Sequence, residues 1–171
     1  MMKIEQLVED IRKSYGDCEL EELAKLLGVY VYQRYDFDQL KGMYAIIAKR
    51  RCIFINAKLC EEDYNLVLAH ELGHDQLHRS NVGIQDLMEY TLFQLNNEQE
   101  YEANLFAAHL LLREEELLPY VKEGFDLQSL AQMFKVDARL LLMKLHAMKK
   151  KGYPFHLEEM PYADFLGRKP I

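Results

Sequence analysis

Apolar positions recur at helical spacing at Ile4, Leu7, Val8 and Ile11, and again through residues 18–27, where Gly28 supplies a stop. The period then shortens. Residues 29–32, 43–48 and 52–55 are short runs rich in β-branched and aromatic side chains, which predict three strands. Lys49, Arg50 and Arg51 lie between the last two and read as a solvated, charged hairpin turn. Leu66, Val67, Leu68, Ala69 and Leu72 then place apolar groups nearly all round one helix, the pattern of a helix enclosed by protein on every side. A second helix is predicted over 98–108, and a partial apolar pattern at Ile84, Leu87, Met88 and Leu92 predicts another within 80–97. Beyond Gly124 the pattern gives a short helix over 127–134, a tight turn near 135–137 and a second helix through 140–145. Residues 152–171 have no period, yet Tyr153, Phe155, Tyr162 and Phe165 are too many aromatics for an idle tail, so this segment is expected to pack along the body.

Composition changes this picture little: 50% hydrophobic and 29% charged residues in 171 suit one domain, or one domain with a small appendage. The first residues hold no apolar run fit for a signal peptide, and no stretch approaches the roughly 18 apolar residues of a membrane span, so a cytoplasmic protein without membrane contact is expected. Cys18, Cys52 and Cys60 are an odd number without CxxC spacing and are expected to be reduced, buried or half-buried thiols. Charge is uneven within a net of −7. Residues 86–126 hold ten carboxylates against Arg113 and Lys122, a net of −8, while 135–151 hold six bases against Asp137, a net of +5. An acidic chain with one basic stretch does not favour general nucleic-acid binding, and direct DNA contact is the weaker expectation. The basic stretch offers instead a dock for an acidic protein surface.

The chemistry is concentrated at His70-Glu71-Leu72-Gly73-His74. Four residues advance a helix by about 400° and about 6 Å, so both imidazoles leave one face a turn apart and can grip a single metal ion. Glu71 follows His70 by about 100°, which leaves its carboxylate beside the metal as a proton acceptor rather than on it. Buried histidines and a glutamate on an apolar helix are costly unless a metal or a hydrogen-bond network satisfies them. This is the HExxH arrangement of zinc hydrolases. A catalytic zinc takes a third protein ligand, and Glu100 is preferred because it shares a helix face with Asn104, beside the small Ala103 and Ala107. Asn104 is then placed to hold a ligand histidine through its other ring nitrogen. Glu98 and Glu102 are the rivals, otherwise solvated or capping carboxylates. His74 and His78 with Asp75 form a second, weaker pair, since His78 lies about 12 Å along the axis from His70. Gly73 implies the close approach of a neighbouring backbone. Tyr90 and Tyr101 are candidate donors to an oxyanion.

Together, Ile53 to Asn56, Leu68 to His74 with Leu77-His78, and Glu100 to Ala108 with Leu110 to Leu112 resemble the ImmA/IrrE family of zinc metallopeptidases. The resemblance implies an α+β, zincin-like fold with a gluzincin-type site, a small antiparallel or mixed sheet and a helical C-terminal extension. It implies zinc bound by His70, His74 and Glu100, with Glu71 as the catalytic base. It also implies proteolysis of a helix-turn-helix repressor, often one encoded by a phage or mobile element. One departure is that Arg113-Glu114-Glu115-Glu116 stands where the family often has Met-Pro, which bears on the next connection and not on the metal site. The expected organisation is a peptidase domain over 1–123 and a helix-turn-helix-like extension with its tail over 124–171. A non-catalytic transcriptional regulator acting through that extension is the alternative class. In zinc peptidases of this layout an edge strand pairs with the substrate, and residues 43–48 or 52–55 are the candidates.

Overall fold

In the computed structural model, which describes residues 4–79 and 98–153, the chain runs α1 (Ile4–Tyr15), α2 (Leu20–Leu26), β1 (Val29–Arg34), β2 (Gly42–Ile47), β3 (Arg50–Asn56), α3 (Glu61–Leu77), α4 (Glu98–Leu111), α5 (Glu114–Lys122), α6 (Leu127–Met133) and α7 (Ala138–Lys150). This is an α+β chain, with seven helices and one small mixed sheet among the described residues. It divides into two units, 1–111 and 112–171. The helix expected within 80–97, Tyr90 with it, and the aromatic segment beyond Tyr153 lie outside the described residues. No helix of the described residues is long and apolar enough to cross a membrane.

In the first unit, α1 turns Val8 and Ile11 inward, and α2 ends where predicted, with Gly28 at φ +76°. The strands lie in the order β1-β3-β2, with β1 parallel and β2 antiparallel to β3. Strand β3 is therefore bonded on both sides. Of the two candidate strands that leaves β2, and not residues 52–55, at an edge of the sheet, with β1 at the other edge. Val29, Tyr44, Ile53 and Ile55 form the inner face and pack with Val8, Ile11, Val67, Leu68, Leu72 and Phe106 into one core. Arg12 reaches from α1 to the His109 and Leu110 carbonyls at 2.8 and 3.2 Å, satisfying acceptors that the end of α4 leaves open.

The hairpin turn differs from the expected one. Ile47 pairs with Arg50, so the loop is only Ala48-Lys49, at φ 48° and 64°. Two left-handed residues in succession match the twist of a two-residue hairpin. Neither is the Asn or Gly that usually advertises it. Arg51 is thereby drawn into β3, where its guanidinium bonds Asp75 at 2.8 and 3.2 Å and the Leu27 carbonyl. It is a structural cation, not part of a solvated cluster. The thiols also depart in part, since Cys52 is buried and Cys18 half-buried, all three are free, but Cys60 is exposed ahead of α3.

Helix α3 begins with Glu61, Glu62 and Asp63, whose charges suit the positive end of a helix dipole. Every residue from Leu66 to Asp75 is buried, as the all-round apolar pattern requires. It crosses α4 at Gly73. A Cβ added there would stand 3.0 Å from both the Cα and the carbonyl oxygen of Ala103, so the glycine sets how closely α4 approaches. Gly73→Val is expected to destabilise the chain by about 1–3 kcal/mol through overpacking, outweighing its slightly better helix propensity. A denaturant midpoint equal to that of the parent would show that the crossing is slack.

In the second unit, Arg113 is the N-cap of α5 and Glu114, Glu115 and Glu116 its first turn, so the chain's departure from the family pattern starts a helix. Asp126 caps α6 and accepts from the Ser129 amide at 2.9 Å, and Asp137 caps α7 and accepts from the Arg139 amide at 2.8 Å. Between them Lys135 sits at φ 52°, making the predicted tight turn. The basic stretch is less available than its sequence suggests. Lys144 is buried and bonds Glu114 at 3.2 Å, Lys151 bonds the same carboxylate at 2.7 Å, and Arg139 folds onto Asp137.

Candidate metal centre

Helical spacing on α3 and the close crossing at Gly73 bring three buried side chains to one point. His70 Nε2 and His74 Nε2 lie 3.1 Å apart. Glu100, from α4, places Oε2 3.4 Å from His70 Nε2 and Oε1 3.3 Å from His74 Nε2. A tetrahedral ion bound at about 2.0–2.1 Å spaces its ligand atoms about 3.3 Å apart. Each imidazole nitrogen lies near that distance from a Glu100 oxygen, a different oxygen for each ring, and one ligand atom from each of the three residues lies within 4.8 Å of the others, a spacing that could hold one ion. The donor set fits as well. His70 Nδ1 lies 3.0 Å from Asn104 Oδ1; a carboxamide oxygen only accepts, so this nitrogen donates and Nε2 keeps its lone pair for the centre. Burial alone would raise the Glu100 carboxyl, but the facing His70 and His74 rings outweigh it and hold the group down at about 2. It is an anion at any working pH.

Glu71 is buried beside this group. Desolvation is the main cause that pushes its carboxyl up to about 7; Glu100 adds to the rise, while His74 and the Tyr44 amide oppose it. One oxygen, Oε2, has no hydrogen-bond partner among the described residues. A carboxylate with a free lone pair and an affinity for protons near neutrality has the properties of a general base. Because its folded value lies above its unfolded one, Glu71 costs the metal-free chain nothing below about pH 4.5, and progressively more between there and pH 7. Metal-free Glu71→Gln is therefore expected to be more stable than the parent at pH 8, by up to about 3 kcal/mol, and equal to it at pH 4.5. Urea unfolding at the two pH values with chelator present measures this; an equal gap at both would show that the effect is not ionisation.

The other sequence candidates separate clearly. Glu98 is exposed at the start of α4. Glu102 is not a solvated carboxylate, because its Oε2 lies 3.0 Å from His78 Nε2. Asp75 is fully buried but faces Arg51 and Arg79, so it belongs to the packing of α3 rather than to a second metal pair. Tyr101 is 39% exposed on α4. Sequence reasoning missed Gly42 and Tyr44. A Cβ on Gly42 would collide with Val67 and come 3.3 Å from Glu71 Oε1, so the start of β2 passes directly over the base. A glycine opening a strand was the available signal for that close approach.

Residues 14–146 match the model of a peptidase family described as the IrrE N-terminal-like domain. The uncharacterized immunity region protein 2 of Bacillus phage phi105 is 33% identical over 142 residues, which are 82% of this chain and 88% of that protein. Metallopeptidase ImmA of Bacillus subtilis (strain 168) is 28% identical over 147 residues, 83% of each. The solved structure of a Mycobacterium tuberculosis transcriptional regulator has a TM-score of 0.60 and 19% identity, covering 85% of this chain. The chain spans 47% of that structure, and the likeness is one of fold alone.

Proposed function

The chain belongs to the ImmA/IrrE metallopeptidase family, and from that premise we propose that it is a zinc-dependent endopeptidase of gluzincin type that cleaves a helix-turn-helix repressor. The observation that carries the reading is the convergence of His70 Nε2, His74 Nε2 and a Glu100 carboxylate at edges of 3.1–3.4 Å, with Glu71 beside them. His70, His74 and Glu100 hold the zinc. When bound, the ion supplies a Lewis acid that makes water acidic near neutral pH and polarises a peptide carbonyl. Glu71 takes the proton from the attacking water and delivers it to the amine that leaves when the C–N bond breaks. The substrate segment adds to the outer edge of β2, which pairs with no other strand among the described residues, as a further strand, using backbone hydrogen bonds that tolerate varied side chains. Gly42 keeps that edge within reach of Glu71.

Kinship with a phage immunity-region protein supports a repressor as the substrate, and so an anti-repressor role in derepressing a phage or mobile element. The alternative, a non-catalytic regulator acting through 124–171, is not favoured: it gives no reason for a buried His-His-Glu cluster with a base beside it. The test is to incubate the purified protein with the helix-turn-helix repressor encoded beside it, with and without chelator, and to run operator-DNA binding in parallel. A single chelator-sensitive cut is expected. Tight operator binding with the repressor left intact would overturn the peptidase reading.

A further inference from the structure

A second line of hydrogen bonds leads away from the centre. His74 Nδ1 lies 3.2 Å from His78 Nδ1, and His78 Nε2 lies 3.0 Å from Glu102 Oε2. His74 lies in the last turn of α3 and His78 is the C-cap of that helix, while Glu102 comes from α4, two residues past Glu100. His78 is buried, while the Glu102 side chain is 28% exposed, so the line begins at the surface and ends at the metal group.

The direction of the protons follows from the chemistry of its outer end. A carboxylate only accepts, so His78 Nε2 carries the hydrogen. A neutral His78 then has its lone pair at Nδ1 and must accept there, which makes His74 Nδ1 the donor and leaves the lone pair of His74 on Nε2, facing Glu100 and His70. The reverse order would put the hydrogen on His74 Nε2 and bar it from binding a metal. Asn104 does the same service for His70 with a neutral oxygen, in one step. For His74 the tautomer is set through an intervening ring by an anion.

We propose that His78 and Glu102 are positioning residues that hold His74 in its Nδ1-protonated tautomer, so that zinc retention depends on a carboxylate that does not touch the metal. This rests on His70, His74 and Glu100 being the ligands. Removing hydrogen-bond partners behind a metal ligand typically costs about 10–100-fold in metal affinity.

The test is zinc competition against a chromophoric chelator at one fixed pH, with histidine 15N shifts read in the metal-free protein. Glu102→Gln keeps the shape of the side chain but offers either an acceptor or a donor, so it should bind zinc roughly 10-fold more weakly and show mixed His74 tautomers. Glu102→Leu and His78→Leu should lose up to about 100-fold, and the double variant no more than His78→Leu alone, since both act along one line. Glu98→Gln, at the exposed start of the same helix, should match the parent. Zinc affinity within about twofold of the parent in Glu102→Gln, with an unchanged His74 tautomer, overturns the proposal even if thermal stability falls. A parent chain that binds no more zinc than His70→Ala overturns the ligand assignment beneath it, and that result is distinguishable because it appears before any change at Glu102.

Discussion

Glu71→Gln is expected to keep one zinc per chain and an intact fold while losing about 10²-fold or more of repressor cleavage, and Glu100→Ala to lose both metal and cleavage. The two carboxylates are one helix apart in origin and opposite in the roles proposed for them. Glu100 is held as an anion at about 2 and lies 3.3–3.4 Å from both imidazole nitrogens, the properties of a ligand. Glu71 is pushed up to about 7 with one oxygen unpartnered among the described residues, the properties of a group that exchanges a proton. Gln at position 71 fills the same space and binds no proton, so chemistry is lost without the site. Ala at position 100 would remove one of the three proposed ligands, and the remaining pair of rings would grip a divalent ion far less well. Elemental analysis with a cleavage assay reads both. Full zinc occupancy in Glu100→Ala would show that the third ligand has been misassigned, with Glu102 the first carboxylate to examine.

The second large effect lies beneath the metal helix. Asp75 is fully buried and accepts from Arg51 at 2.8 and 3.2 Å, from Arg79 at 3.2 Å and from Gln76 at 2.6 Å. Asp75→Ala would leave the Arg51 guanidinium largely enclosed without its anion, and breaking one side of such a pair costs about 3–5 kcal/mol. Arg51 is 22% exposed in its side chain, so a value near the lower end is expected. Joining Asp75→Leu to Arg51→Met should recover much of the loss, because two apolar groups carry no desolvation penalty. Denaturant midpoints of the single and double variants measure this. A single variant within about 1 kcal/mol of the parent would show that solvent reaches Arg51 far more freely than the packing implies.

Much of the site was legible because its parts are local. His70, Glu71 and His74 lie within one and a half turns, and helical geometry alone sends the two rings to one face and the carboxylate beside them. Gly73 announced a close neighbour for the same reason, and Ala103 is that neighbour. What could not be read was pairing across distance. The hairpin turned at Ala48-Lys49 without the residues that usually mark it, which moved Arg51 into a strand and onto Asp75, 24 residues away. Glu102 looked like a surface carboxylate because its partner, His78, is also 24 residues away, at the C-cap of α3.

By itself, then, the sequence determined the three strands, the described helices other than α5, the buried helix of the HExxH pattern and the spacing of its two imidazoles, all consequences of periods of two and 3.6 residues. Tertiary structure decided which strand became the centre of the sheet, since sheet order depends on how β1 and β2 flank β3 and no local period encodes it. It also decided which carboxylate of α4 meets which histidine of α3. That choice is made by the depth and rotation of one helix crossing, fixed at Gly73 and Ala103, and a turn of about 100° per residue sends Glu100 to the ligand rings and Glu102 to the ring behind them.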